Sequence, residues 1–345
     1  MVKMWEEILE QAAVLKRTVE TNKAVIDELI KDLEHRDIST VIIAARGTSD
    51  HAAVYTKYAI ETLIGIPVSL AAPSVFTMYN KHINMENCFV IGISQSGKAA
   101  DAIEVVRAAA KQGAVTMSVT NFVDSPLALA SKYHFFCDTG VEKSVAATKT
   151  FTSTIFLLIN FIAKWSQNEE LLKELNQVPD IMKCVFKQAD NIKEVVKKYR
   201  FMKECFVLAR GINYSIALET ALKIQETTYV RAKAFATSDF HHGPFAMIER
   251  DMPVVVYAPD GPSSKDILEM INKLKDSEAD ILIISNNNEL LELGDSRIEI
   301  PKNCSDYVSP LFNVVIAQMF ACELSLLKGL NPDSPRGLNK VTITR

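Results

Sequence analysis

Apolar residues fall at Ile8, Ala12, Leu15 and Val19, then at Val25, Ile26, Leu29 and Ile30. That three-to-four spacing predicts amphipathic helices over residues 5–33. The pattern then changes. Residues 40–44 form a short apolar run ending in Ala45-Arg46-Gly47-Thr48-Ser49, and a helical period returns over 50–64. This reads as strand, turn and helix. The apolar run at 151–163 is shorter than the roughly 20 residues that cross a bilayer, so it predicts a buried helix, and no membrane span is expected.

The same grammar returns 164 positions later, at Ala209-Arg210-Gly211-Ile212-Asn213, after an apolar run at 205–208 and before a helical pattern at 215–228. Residues 89–93, followed by Ser94-Gln95-Ser96-Gly97, match 254–258, followed by Pro259-Asp260-Gly261; residues 115–119 match 281–285, and 134–136 match 297–299. A repeat this long is not a solenoid unit. Strands alternating with helices of about 10–15 residues call for parallel sheets covered on both faces. The expected fold class is α/β: two tandem, doubly wound parallel sheets flanked by helices. The expected domains are 1–170 and 201–330, joined by a lysine-rich helical linker at 171–200 with Ile181, Val185 and Ile192 spaced along it. A tail at 331–345 follows, whose apolar content suggests a docked terminus.

Composition narrows the possible functions. Glycine is only 12 of 345 residues, and neither G-x-G-x-x-G nor a P-loop occurs. No cofactor is expected. A net charge of −4, from 38 basic and 42 acidic residues, argues against nucleic-acid binding. The six scattered cysteines contain no C-x-x-C, which excludes a disulfide framework and a zinc site and fits a reducing cytosol. The N-terminus runs into an amphipathic segment rather than a signal peptide, so the expected location is cytoplasmic.

In doubly wound sheets, ligands bind at the carboxyl ends of strands near the switch in strand order. The loops there are therefore the informative ones. Ser94-Gln95-Ser96-Gly97 joins a strand to a helix with two hydroxyls, an amide and a glycine. At a helix N-terminus this would suit a phosphate, although a simple capping serine is an equal reading. Gly47, Thr48 and Ser49 repeat the logic after the first strand. The stretch 142–150, with Val145 and Ala147, opens a third helix. Three such loops favour a small phosphorylated ligand.

The second half supplies proton-transfer groups. Glu219, Lys223 and Glu226 share one helix face. A solvated salt-bridge stripe is the ordinary reading of such spacing, and it stands against a catalytic one. Asp239-Phe240-His241-His242-Gly243-Pro244 sets two histidines before a turn. No third ligand has metal-site spacing, so no metal is expected, and proton transfer near neutral pH is the functional reading of the pair. A packing role competes with it. Lys340, in the tail, is either an amine nucleophile or an ordinary exposed lysine.

Together these motifs resemble the sugar isomerase (SIS) domain family over nearly the whole chain. They are Ala-Arg-Gly-Thr-Ser-Asp-His-Ala-Ala at 45–53, Ala-Ala-Pro-Ser-Val at 71–75, Ile-Ser-Gln-Ser-Gly at 93–97, Ser-Val-Ala-Ala-Thr-Lys at 144–149, Ala-Leu-Lys-Ile-Gln-Glu at 221–226, His-His-Gly-Pro at 241–244, and the Leu-Asn-Lys-Val-Thr tail. The set looks like the isomerase half of glucosamine-6-phosphate synthases and, more closely, like SIS-type glucosamine-6-phosphate deaminases. The resemblance implies that Ser49, Ser94, Gln95 and Ser96 hold a sugar phosphate, with Gly47, Thr48, Gly97, Val145 and Ala147 beside it. It implies that Glu226 moves a proton between C1 and C2 and that Lys223 tunes its charge. It gives His242 ring opening, often from a second subunit, and Lys340 a Schiff base, with the tail closing the active site. Lys98-Ala99 departs from the synthase Glu-Thr, and Gln225 and Ser238-Asp239 also differ. Ala147 stands where synthases carry serine and the deaminase-like proteins alanine.

The expected activity is conversion of glucosamine 6-phosphate to fructose 6-phosphate and ammonia, by a homodimer. It is favoured because the chain begins where an isomerase half would begin, with no glutaminase segment in view. The alternatives are a deglycase acting on a fructosamine-type 6-phosphate adduct and a non-catalytic sugar-phosphate-binding regulator.

Overall fold

The computed structural model describes residues 2–340; Val341 to Arg345, the end of the expected tail, lie outside them. The chain forms two compact units, each with a five-stranded, wholly parallel sheet. Neither unit is contiguous in sequence. Among the described residues, the N-terminal unit comprises Ala13–Glu142, Lys149–Leu175, Asn339 and Lys340. The C-terminal unit comprises the segment up to Ala12, Lys143–Thr148 and Asn176–Leu338. The expected helices at 5–33 are one continuous helix, α1 (Lys3–Glu34), which runs through both units.

The N-terminal sheet has the order β2-β1-β3-β4-β5, from β1 (Thr40–Ala44), β2 (Val68–Leu70), β3 (Cys88–Ile93), β4 (Val115–Thr120) and β5 (Tyr133–Phe136). Its helices are α2 (Thr48–Leu63), α3 (Ser74–Thr77), α4 (Ala100–Lys111), α5 (Pro126–Ala130) and α6 (Lys149–Trp165). Side chains alternate across the sheet, as a strand requires. Ile42, Ala44 and Val90 pack with Val105 and Val106 of α4 and Leu127 of α5. On the other face Phe89 meets Phe161 of α6, and Phe161 also meets Phe135 and Trp165. The buried helix expected at 151–163 is α6. The open edge at β5 is covered by α1: Asn22, itself buried, donates to the Phe136 carbonyl at 2.7 Å and accepts from its amide at 2.8 Å. One side chain thus does the work of a missing strand.

The C-terminal sheet repeats the topology as β7-β6-β8-β9-β10, from β6 (Glu204–Ala209), β7 (Arg231–Ala236), β8 (Pro253–Tyr257), β9 (Asp280–Ser285) and β10 (Ser296–Glu299). Its helices are α7 (Glu169–Phe186, shared with the N-terminal unit), α8 (Ala189–Lys198), α9 (Tyr214–Thr228), α10 (Thr237–His241), α11 (Ser264–Asp276), α12 (Asn288–Leu291) and α13 (Ser309–Leu327). Phe206, Leu208, Val254, Val256, Ile281 and Ile283 pack on α11. α9 and α13 pack together on the opposite side, where α9 also lies against β6 and β7. The stretch expected as a linker forms α7 and α8, with Val185 and Ile192 buried.

By length and composition alone α13 is apolar enough to cross a membrane. In the fold, 83% of that window is buried inside the protein. Its polar side chains are used internally: Asn313 donates to Asn213, Gln318 accepts from Gln11, and Ser325 donates to the Thr227 carbonyl.

Candidate active site

In the N-terminal unit the chain leaves β1 for β2 on one side, then returns to β3 on the other. Ala44 pairs with Gly92, so the loops after β1 and β3 emerge side by side at the switch point. Thr48 and Ser49 open α2, after Gly47 with φ of 57°. Ser94 is buried, and Gln95 and Ser96 are half-buried. The Ser94 amide donates to Val119 at 3.1 Å, and the Gln95 carbonyl accepts from the Asn121 amide at 2.9 Å, so β4 holds the loop. The expected helix N-terminus at Ser94–Gly97 is corrected: α4 starts only at Ala100. The motif is instead a separate turn closed by the Gly97 amide on the Ser94 carbonyl at 3.1 Å. Gly97 has φ of 63°, and a Cβ there would lie 2.0 Å from Ser125 Oγ.

Arg46 is the residue at this switch point that sequence reasoning did not single out. Its Nε donates to Asp101 Oδ2 at 2.9 Å, reaching from the end of β1 to the first turn of α4. The Asp101 carboxylate is 7% exposed, while the guanidinium side chain is 50% exposed. Positive charge is thereby fixed beside the serine loop.

Lys340 is docked in this unit. Its Nζ lies 2.6 Å from Glu142 Oε2 in a pair whose carboxylate is fully buried. Glu142 also accepts from the Thr150 amide at 3.1 Å and from its hydroxyl at 2.8 Å, at the start of α6. The amine is therefore held at a fixed place by a carboxylate 198 positions away in sequence.

In the C-terminal unit the charged face of α9 is not a solvated stripe. Lys223 Nζ sits 3.3 Å from Glu219 and 2.5 Å from Glu226. Side-chain exposures are 0% for Glu219, 1% for Lys223 and 20% for Glu226. The triad is a buried relay with one end open. Burial alone would push the Lys223 ammonium down, but the Glu219 and Glu226 carboxylates more than offset it and raise it to about 12. A sequence signal for this burial existed: Ile216, Ala217, Thr220, Ala221, Ile224, Thr227 and Thr228 surround the helix with apolar or small residues, and a helix without a solvent face is buried.

His242 caps the C-terminal end of the short helix α10 and is exposed. His241 Nδ1 lies 3.4 Å from Lys273 Nζ of α11. Val145 and Ala147 belong to a strap in this unit. Its Ser144 hydroxyl donates to buried Glu7 at 2.5 Å, its Val145 amide donates to the Asp333 carbonyl at 3.1 Å, and its Thr148 carbonyl accepts from Gln318 at 3.2 Å. Asp333 in turn caps the start of α1 through the Lys3 and Met4 amides. Among the described residues, no group of three or more His, Cys, Asp and Glu side chains could hold a metal. A surface cavity of about 680 Å³ in this unit is lined by Glu204, Phe206, Arg231 and Lys233, at the amino ends of their strands and not at a switch point.

Two units with one strand order, a serine-rich turn after β3 in one and a buried Glu-Lys-Glu face on α9 in the other, define a tandem doubly wound α/β fold. The SIS domain family model matches residues 36–164 and again 199–328, and the chain belongs to this family. It is 33% identical to glutamine–fructose-6-phosphate aminotransferase (isomerizing) of Aquifex aeolicus over 344 residues, covering 99% of this chain and 57% of that protein. The chain thus spans little more than half the length of that relative. Its fold matches the C-terminal domain of glucosamine-fructose-6-phosphate aminotransferase from Francisella tularensis, with TM-score 0.86 and 24% identity over 97% of this chain and 98% of that one. It also matches glucosamine-6-phosphate deaminase of Thermotoga maritima, with TM-score 0.78 and 20% identity over 99% of this chain and 100% of that one.

Proposed function

We propose that this chain is a phosphosugar aldose–ketose isomerase of amino sugars, converting glucosamine 6-phosphate and water to fructose 6-phosphate and ammonia. The observation that carries the reading is the Glu219–Lys223–Glu226 relay, closed at one end and open at Glu226. A 1,2-proton shift needs a single base that takes a proton from C2 and returns it to C1. Lys223, locked between two carboxylates, holds Glu226 in one orientation for both transfers.

The N-terminal unit's part is the phosphate. Thr48, Ser49, Ser94, Gln95 and Ser96 bring hydroxyl and amide donors to the switch point, Gly47 and Gly97 allow the turns, and Arg46 adds charge. Val145 and Ala147 flank the sugar phosphate, as the family resemblance implies. Ala147 is also the point at which the chain agrees with the deaminase-like members.

The chemistry then runs in balanced steps. His242 takes the proton of the C1 hydroxyl and returns one to the ring oxygen, which opens the pyranose to the aldehyde. Its exposure suits a group that serves the site of a second copy in a homodimer. Glu226 moves the proton from C2 to C1 while the C2 amine gives up one proton and the C1 oxygen gains one, so the aldehyde becomes a CH2OH group and an imine is left at C2. The Lys340 amine displaces ammonia there, and water hydrolyses the resulting imine to the ketose and the free lysine.

The test is ammonia and ketose release by the purified protein from a panel of hexosamine 6-phosphates, with Glu226→Gln as control. Release abolished by the substitution is expected. No turnover of any hexosamine phosphate, or full activity in the variant, overturns the reading. Faster release from a fructosamine-type adduct would mark a deglycase, and phosphosugar binding without turnover a regulator.

A further inference from the structure

The switch-point arginine is repeated, and its second copy is used differently. Arg210 follows the last residue of β6 by one position and Arg46 that of β1 by two, and Asp266 lies in the first turn of α11 as Asp101 lies in that of α4. Arg210 Nε is 3.6 Å from Asp266 Oδ2. Here the pair also takes hold of α10. The Thr237 hydroxyl donates to Asp266 Oδ2, and Arg210 Nη1 donates to Ser238 Oγ. Thr237 and Ser238 are the first two residues of α10, which has only five, and His242 is its C-terminal cap.

A helix of one turn does not fix its own direction, because nucleating it yields too few internal bonds. Its direction comes from its anchors. One is Phe240, fully buried, with ring centroids 5.3 Å from Phe206, 5.4 Å from Phe235 and 6.0 Å from Phe245. An aromatic anchor sets depth but leaves rotation about itself free. The Arg210–Asp266 pair, gripping two adjacent hydroxyls at the other end, removes that rotation.

We infer that Arg210 and Asp266 are positioning residues for His242: they aim α10 so that the imidazole reaches the sugar ring. The inference rests on the ring-opening role given to His242 above. A misplacement of about 1 Å costs on the order of 100-fold in such a step. The proton shift on α9 does not pass through this network.

The test isolates ring opening. In a Glu226→Gln background, which blocks the proton shift, exchange between the α and β anomers of glucosamine 6-phosphate reports ring opening directly by NMR. Arg210→Met is expected to slow exchange on the order of 10- to 100-fold, toward the rate of His242→Ala, with substrate binding kept within about 2-fold; Arg210→Lys is expected to restore part of it. Should Arg210→Met fail to fold, the Thr237→Val/Ser238→Ala pair removes only the two hydroxyls and is expected to slow exchange in the same direction. Unchanged exchange in a folded Arg210→Met or in the hydroxyl pair, alongside loss in His242→Ala, overturns this inference alone. Exchange that survives His242→Ala overturns the ring-opening assignment and this inference with it.

Discussion

Arg46 and Asp101 are joined across the N-terminal switch point, Nε to Oδ2 at 2.9 Å, with the carboxylate buried and half of the arginine side chain exposed. The pair fastens the end of the first strand to the helix that follows the serine loop, and it leaves a cation facing outward. Two effects separate on mutation. Arg46→Gln leaves Asp101 without its cation, and a loss of about 1–3 kcal/mol in urea denaturation is expected. If the outward charge meets the sugar phosphate, KM rises about 10-fold while kcat holds. An unchanged KM in the folded variant would remove Arg46 from phosphate binding.

Lys223 gives a pH signature. Its ammonium is raised to about 12 from an ordinary 10.5. A group whose pKa is raised in the folded state stabilises it fully below the unfolded value and loses that contribution as pH climbs through the folded one. The urea midpoint is therefore expected to fall between about pH 10.5 and 12. Lys223→Met strands two carboxylates, one of them fully buried, and is expected to cost about 3–5 kcal/mol at neutral pH. Adding Glu219→Gln to it should recover part of the loss; no recovery would mean that the two charges do not interact.

Gly97 carries a steric prediction. An alanine there meets Ser125 Oγ at 2.0 Å and holds φ of 63°. The backbone conformation costs about 1–2 kcal/mol and the clash about 1–3 kcal/mol more. Gly97→Ala should lower stability by that sum and weaken phosphosugar binding. Ser125→Gly in the same protein relieves the clash but not the backbone, so a partial rescue in calorimetry is the expected result.

Lys340 is open to chemical trapping. In the proposed role, its imine with the C2 carbonyl of fructose 6-phosphate would form with loss of water, and borohydride would reduce it to a stable secondary amine. Mass spectrometry should place the adduct on Lys340 and find none in Lys340→Arg. Glu142→Gln, which removes the buried carboxylate partner, should slow trapping by on the order of 10-fold. An adduct on another lysine would reassign the nucleophile.

The periodicity carried the architecture further than the site. The 164-residue offset between Ala45 and Ala209 marks two copies of one strand order. The strands it leaves out are β2 and β7, both at sheet edges. β2 has three residues with only Val68 buried, and β7 carries Arg231 and Lys233, so neither shows a long apolar run. The spacing of Glu219, Lys223 and Glu226 was visible in the sequence, but that spacing by itself does not record their burial. An i, i+4 charge pair looks the same on a wet helix and under α13; only the neutral residues around it tell the two apart. Asp101, Glu142, Glu7 and Asp266 were silent for a different reason. Each acts on a partner brought to it by the fold, and no local pattern records such a meeting.

The two units exchange pieces of chain: the strap at Lys143–Thr148 and the segment up to Ala12 belong with the C-terminal unit, and Asn339 and Lys340 belong with the N-terminal one. On the ribosome, then, the first-made unit is finished last. Its strands and helices emerge early, but Glu142 waits for Lys340, 198 positions further along the chain, to be translated. Cutting the gene near codon 170 would not yield two independent products. A nascent chain stalled before codon 340 should be more open to protease at the start of α6 than the released protein.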